Sequence, residues 1–367
     1  MESKRFLYTL VYNDLLGKIN SGELRPGDLL PTENELAATH QVSKITTKRA
    51  MDMLKRDGLI RRVQGKGTFV SEPPAPSEEG ALPSMGKKMI GVVMEHASSS
   101  FGLDLMFHII RRLNEAGYKT CFRFSFGSVE RENEEVDDLV RRGIDGLMIM
   151  PCHNSLYSSN ILRLILDGFP VVLLDKQMRG IPVTCISSDG ENAIIQLVRH
   201  LHDRNAKTLA LCTVAPSTAT SVATRVEGYR RGVAETGVTS VGECIVQREF
   251  NVESLHMPQP KDVEFVRNWL ANLSVRPDGV VCTEFYMARV LAAAAKSLEL
   301  EIGKDLKVVC IDEDPDAAYG PFFTHMRQDE VAIGDVAVDV LQTLLNGATS
   351  LQREISIPAV FHMGSST

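Results

Sequence analysis

Between Gly22 and Val70 the chain sets out two helix starts and a glycine-tipped hairpin in close succession. Tyr8, Val11, Leu15 and Ile19 line one stripe of a first helix that ends at Gly22 and the Arg25-Pro26-Gly27 turn. Thr32 then offers a side-chain oxygen to free amides, and Glu35 can return the bond, a reciprocal cap for a second helix. Ser43 is the next cap, opening a third helix that runs to Asp57-Gly58, with Ala50, Met51 and Leu54 to pack it down. Leu59–Val63 and Thr68–Val70 read as two strands joined through Gln64-Gly65-Lys66-Gly67.

Two short helices with a tight turn between them, the second polar at its front, are what entry into a duplex major groove requires. That groove is about 12 Å wide and admits one helix, whose first-turn side chains reach base edges. Lys44 and Lys48 lie four apart on one face. Thr46 and Thr47 are short enough to meet phosphate or a thymine methyl, Arg49 adds charge beside them, and Lys66 and Gly67 place a cation and a bare backbone at the hairpin tip. Charge agrees with this division. Residues 1–70 carry 12 lysines and arginines against 8 acidic residues, whereas the remainder carries 28 against 39, so the positive field is local.

The segment resembles the GntR-type winged-helix family over about residues 5–70. The stretches that carry it are Gly22-x-Leu24-x-Pro26-Gly27-Asp28-x-Leu30-Pro31-Thr32-Glu33-x-Glu35-Leu36-Ala37, Val42-Ser43-x-x-Thr46, Leu54-x-x-x-Gly58-Leu59-Ile60 and Gly65-x-Gly67-Thr68-Phe69-Val70. The resemblance implies that Lys44 and Lys48 stand where the family has groove-reading arginines and that Gly67 enters the minor groove. Asn34 stands where many members have a DNA-contacting arginine.

Residues 71–87 are rich in proline and glutamate and read as a linker. From 88 to 367 short apolar runs alternate with amphipathic stretches. Strands are expected at Met89–Met94, Thr120–Phe124, Leu147–Met150, Val171–Leu174, Thr208–Cys212, Glu243–Val246, Gly279–Cys282 and Lys307–Ile311. Such repetition predicts parallel sheets covered on both faces, and the length suits two lobes with a cleft. Ligand contacts then belong just past the strand ends. Phe101, Asp175, Glu284 and Asp312 follow strand ends, and Arg225 follows the Thr218–Thr224 loop. Carboxylates accept from vicinal hydroxyls, a guanidinium donates in a fixed fork, and a ring covers an apolar sugar face.

This part resembles the periplasmic-binding-protein-like sensor domain of the lactose-repressor and ribose-binding family. The resemblance rests on Ile90-Gly91-Val92-Val93, Leu113-x-x-x-Gly117-Tyr118, Ile144–Ile149, Phe169–Asp175, Arg225-x-x-Gly228-Tyr229-Arg230-Arg231-Gly232, Pro277–Val280 and the Val308–Asp312 strand end. It implies that Arg225 and Asp312 bind sugar hydroxyls. Thr283-Glu284-Phe285 departs from the usual asparagine-aspartate pair. A GntR-type reader joined to such a sensor looks like the arabinose-repressor branch. The expected fold is thus a small α+β winged helix-turn-helix domain followed by a two-lobed α/β domain with parallel sheets. The expected function is a cytoplasmic homodimeric regulator that binds operator DNA and is released by a monosaccharide such as arabinose. A nucleoside, an amino sugar or a co-repressor stays open as the effector.

The rival class is a carbohydrate-active enzyme, but no Gly-x-Ser-x-Gly elbow, P-loop or His-Glu-x-x-His is present. Glu132, Glu134, Glu135, Asp137 and Asp138 fall at helical spacing and read as a solvated face rather than a metal site. No catalytic residue, metal or cofactor is expected. All seven cysteines lie beyond residue 120, mostly inside apolar runs, and read as reduced structural thiols. The polar start has no apolar signal region behind it, and no membrane span is expected.

Overall fold

A computed structural model describes residues 7–56, 58–63, 65–71, 88–152, 158–215, 219–247, 257–313, 320–348 and 352–367. The reciprocal cap forms as the spacing predicts. Helix α1 (Leu7–Asn20) is followed by α2 (Glu33–His40), where Thr32 Oγ1 accepts from the Glu35 amide and the Glu35 carboxylate accepts from the Thr32 amide at 2.7 Å. Ser43 caps α3 (Lys44–Arg56) by accepting from the Thr46 amide. Strands β1 (Ile60–Val63) and β2 (Gly67–Val70) pair antiparallel, and Val11, Leu15, Leu36, Ala50, Met51, Leu54, Ile60 and Val70 close a small core. Gly67 has φ +119°, and a Cβ there would stand 2.6 Å from Leu29 Cδ1. The fold of the hairpin itself therefore asks for glycine at this position.

The second part repeats one pattern twice. Lobe 1 begins with β3 (Met89–Met94), α4 (Leu103–Glu115), β4 (Lys119–Phe124), α5 (Val129–Arg141), β5 (Gly146–Ile149), α6 (Ser159–Leu166), β6 (Val171–Leu174) and β7 (Thr184–Ser188). Helix α7 (Gly190–Asp203) leads to β8 (Thr208–Val214), α8 (Thr220–Thr236), β9 (Thr239–Val246), α9 (Pro260–Ala271), β10 (Gly279–Cys282), α10 (Phe285–Ser297), β11 (Lys307–Ile311) and β12 (Thr324–Arg327). Helix α11 (Glu330–Leu345), β13 (Glu354–Ile357) and β14 (Val360–His362) complete the chain. The two six-stranded sheets run β13-β7-β6-β5-β3-β4 and β14-β12-β11-β10-β8-β9, the same order, with β14 alone antiparallel to its neighbour.

The helices after β7 and β12 exchange lobes. Helix α7 leaves lobe 1 and buries Ala193, Ile194, Leu197, Val198 and Leu201 in the lobe 2 core. Helix α11 leaves lobe 2 and buries Ile333, Ala337, Val338 and Leu341 against lobe 1. The chain therefore crosses between lobes at Ser188-Asp189, at Gln328-Asp329 and between β13 and β14. Three crossings side by side form a hinge, and the strand ends that face it define the cleft.

Strands β7, β12, β13 and β14 were not foreseen from sequence. β7 and β12 are short and polar, and β13 and β14 are half-exposed edges. Helix α8 starts at Thr220, so Arg225 lies in its second turn and not behind a Thr218–Thr224 loop; residue 218 and the linker 72–87 lie outside the described residues. Glu132 corrects the solvated-face reading of its helix. It is buried and accepts from the Cys152 amide at 2.6 Å, and burial pushes its carboxyl up.

The cysteines are free thiols, as their neighbours predicted. Cys244, Cys212, Cys282 and Cys310 stand in register across β9, β8, β10 and β11. Burial pushes the Cys282 and Cys310 thiols up, which keeps them protonated and poor nucleophiles.

Candidate functional site

The basic face of the small domain is built by α3 and the hairpin. Lys44 and Lys66 are exposed and Lys48 is half-buried. Arg62 is held between Glu33 at 2.8 Å and Asp52 at 3.0 Å, tying the hairpin to both helices. Two expectations for this face, Thr46 and Thr47, are corrected by burial. Thr47 is fully buried, and its hydroxyl donates to Glu33 O and Lys44 O, each at 3.0 Å, locking α2 to α3. Thr46 is buried, and its hydroxyl meets Ser43 Oγ at 2.7 Å in the helix cap. Arg49 turns toward lobe 1, where its guanidinium lies 3.7 Å from the Phe169 ring centroid and donates to Asp145 O at 3.0 Å. Hydroxyls and a guanidinium at helical spacing carry no sign of which way they face, so these contacts were invisible before the fold.

At the cleft, two aspartates occupy matching places in the two lobes. Asp175 follows β6 and Asp312 follows β11, the fourth strand of each lobe. Both are left-handed, φ 62° and 60°, and both donate their amide to the next strand, at Ile186 O and Met326 O. Aspartate tolerates that conformation better than most side chains. The backbone thus turns each carboxyl away from its strand at the sheet's carboxyl edge.

Asp312 is buried at 6% exposure and accepts from Gln328 twice, from the amide at 3.0 Å and from Nε2 at 2.7 Å. Burial pushes its carboxyl up, and the charge of Arg225 pulls the other way. Arg225, equally buried, donates through Nη1 to Thr283 O at 3.1 Å. Its Nε, together with Gln328 Oε1 and Ser188 Oγ, has no hydrogen-bond partner among the described residues. Buried polar atoms left in that state are costly unless something meets them. Glu284 precedes α10 in extended conformation and does not cap the helix amides with its side chain. The structure thus brings Arg225, Thr283, Glu284 and Asp312 to the carboxyl edge of lobe 2.

On the opposite wall, Phe101 packs partly against the lobe 1 core, held by a turn in which its amide donates to Ser98 Oγ. Sequence reasoning missed Glu95 and Glu330 in the polar framework behind it. Lys176 pairs with buried Glu95. Glu330, the first residue of α11, accepts from the Gly102 and Leu105 amides at 2.8 Å each. Burial raises the Glu330 pKa to about 7, with Asp312 and Asp104 adding to the shift. Across the cleft rim, the Gln177 amide donates to Thr220 Oγ1 at 3.0 Å and Arg327 pairs with Asp104 at 2.9 Å. Among the described residues no cluster of metal-ligating side chains occurs, and no helix is long and apolar enough to cross a membrane.

Residues 7–70 match the family described as bacterial regulatory proteins, gntR family, and residues 198–367 match the periplasmic binding protein-like domain. The chain joins a GntR-type helix-turn-helix domain to a periplasmic-binding-protein-like domain. It is similar to the arabinose metabolism transcriptional repressor of Geobacillus stearothermophilus, 26% identical over 351 residues that span 91% of this chain and 90% of the relative. Among solved structures, the transcription regulator CcpA of Lactococcus lactis superposes with a TM-score of 0.65 at 18% identity, covering 77% of this chain and 99% of that one. The lac repressor dimer bound to operator and the anti-inducer ONPF superposes with a TM-score of 0.62 at 20% identity, covering 77% and 94%. At these identities the superpositions establish the two-lobed LacI-type fold of the sensor. The GntR-type domain stands in front of it.

Proposed function

We propose that the protein is a homodimeric transcriptional repressor of sugar metabolism, released from its operator by a small hydroxylated effector such as arabinose. The observation that carries the effector reading is the buried Arg225–Asp312–Gln328 group at the lobe crossing, with a guanidinium Nε left to donate. A polyol supplies what this group asks for: hydroxyl oxygens for Arg225 and hydroxyl protons for Asp312. Phe101 and Asp175 serve the effector from lobe 1, and Glu284 from lobe 2. One similar protein is an arabinose metabolism transcriptional repressor and another a ribose operon repressor, which supports a pentose before other sugars. The Glu284 carboxylate at the same edge favours a ligand with additional donors, so amino sugars and nucleosides stand as the second reading.

On the DNA side, Lys44 and Lys48 enter the major groove while Lys66 and Gly67 follow the adjacent minor groove. Two-fold pairing doubles these contacts, and the structural neighbour that binds operator does so as a dimer. The site is that of a binding protein and not of an enzyme.

A thermal-shift screen against aldoses, polyols, amino sugars and nucleosides tests the effector, and gel shifts with a duplex selected from a random library test release. A pentose that raises the melting temperature and loosens the duplex supports the reading. Arg225→Ala abolishes the shift, at a cost of roughly 1–3 kcal/mol in binding. A shift with nucleosides alone defeats the sugar reading and leaves the regulator.

A further inference from the structure

We propose that the amino-terminal edge of lobe 1 is the seat of the chain's own winged helix, and that Arg49 holds the module there instead of contacting DNA. Arg49 projects from α3 between two rings, 4.0 Å from the Tyr8 centroid and 3.7 Å from the Phe169 centroid. Tyr8 belongs to the winged helix and Phe169 to lobe 1, and both rings are buried. A planar guanidinium sandwiched in this way is held by cation–π attraction on both faces. Its Nη2 also donates to Asp145 O at 3.0 Å.

The seat is firmly attached to lobe 1. Asp145 donates its amide to Met89 O at 2.7 Å and accepts the Met89 amide on its carboxylate at 2.8 Å. Met89 opens the first strand of the sensor. Asp145 precedes β5 and Phe169 precedes β6, so the seat lies at the amino ends of the strands whose carboxyl ends face the cleft.

Docking leaves the groove-facing side of α3 available. At 3.6 residues per turn, Lys44 and Lys48 stand roughly 40° apart around the helix, whereas Arg49 lies roughly 140° from Lys44. Lys44 is exposed in the docked arrangement. A module seated this way turns with lobe 1, so a change in lobe orientation is carried to the reading helix. In a pair of chains it sets the spacing of the two helices. The inference rests on the reading of α3 as the groove helix only for its consequence on DNA; the seat itself is a contact within the chain.

Arg49→Met removes the cation, and Phe169→Leu keeps apolar volume while removing the ring, so the two variants break one contact from opposite sides. Small-angle scattering of the full chain without DNA reads docking, and anisotropy with the selected duplex over a salt series reads affinity. Each variant is expected to increase the maximum dimension and to weaken duplex binding by roughly two- to thirtyfold. The double variant should do no more than the stronger single one, and the salt slope should not change. Unchanged scattering in both variants overturns the seat. So does a loss confined to Arg49→Met with a salt slope reduced by about one, the signature of a lost phosphate contact. Circular dichroism of Phe169→Leu checks that lobe 1 stays folded, and Arg49→Met tests the seat without touching that core. If the wild-type chain binds no duplex at all, the DNA reading fails while the scattering arm still decides the seat.

Discussion

Glu330 places a titrating carboxyl at the hinge, and its effect on stability has a definite sign. The side chain is buried, accepts two amides from the start of α4, and faces Asp312 at the end of β11 and Asp104 on α4, the latter paired with Arg327. Burial lifts its pKa from 4.5 to about 7. Between those values the folded chain binds a proton that the unfolded chain has released, so stability falls as pH rises through this window and is flat above it. A difference of roughly 2.5 pKa units corresponds to about 3 kcal/mol. In Glu330→Gln the group stays neutral at every pH and one oxygen remains to accept an amide. The stability difference between variant and wild type is therefore expected to move by about 3 kcal/mol in favour of the variant from pH 5 to pH 8. Urea unfolding followed by circular dichroism at several pH values measures it, and taking the difference cancels the other titrating groups. A difference that stays constant across the range would falsify the assignment of a raised pKa to Glu330.

Two further perturbations test the packing and the DNA face. A Cβ on Gly228 would fall on the Glu191 carbonyl oxygen and 3.0 Å from Glu191 Cα, backbone that cannot swing aside. Gly228→Ala should therefore separate α7 from α8 and cost roughly 1–3 kcal/mol or more; an unchanged melting temperature would refute the close approach. Lys48→Ala should weaken duplex binding with loss of sequence discrimination, whereas Lys66→Ala should weaken it evenly and lower the salt slope by about one. Binding unchanged from wild type in both variants, read by an anisotropy titration, removes these residues from the interface.

How far the sequence announced this structure depends on the range of the interaction. The Thr32–Glu35 cap, the Ser43 cap and the glycine at hairpin position 67 are local devices, and each stands where the residue pattern put it. The β-α alternation was legible because buried parallel strands are continuous apolar runs, as in β3, β6 and β10. What stayed hidden is contact across long separations. Thr47 and Arg49 share the polar composition of a groove-facing surface, yet one is sealed against α2 and the other is taken by lobe 1. Glu132 sits in a run of acids, and only its place over the β5 end reveals that it serves the Cys152 amide. Asp312 could be picked from its strand end, but Gln328 and Glu330 could not, because β12 reads as a polar loop in Thr-His-Met-Arg.

Those two unforeseen residues connect the walls of the cleft. Arg225 pulls on Asp312, Gln328 holds both carboxylate oxygens of Asp312, and the Glu330 amide donates to Gln328 O at 3.0 Å. Glu330 in turn holds the Gly102 and Leu105 amides beside Phe101. The path runs from the floor of lobe 2 through the Gln328-Asp329 crossing to the ring of lobe 1, so an effector touching Asp312 and Phe101 touches both of its ends. Gln328→Leu cuts the side-chain link while keeping the amide bond and most of the buried volume. Asp312, already pushed up by burial, then loses a donor that had lowered its pKa, so it takes up a proton at higher pH than in the wild type. An effector that donates hydroxyls to this carboxylate needs it ionised. The bond that Gln328 gives Asp312 is made without ligand, so its loss is felt first in stability, and effector affinity weakens through the readier protonation of Asp312. The weakening should grow as pH falls and should begin at higher pH than in the wild type. Calorimetry at several pH values with the effector found by screening reads both quantities, and a variant with unchanged affinity and an unchanged pH profile would show that Gln328 does not hold Asp312 for the ligand.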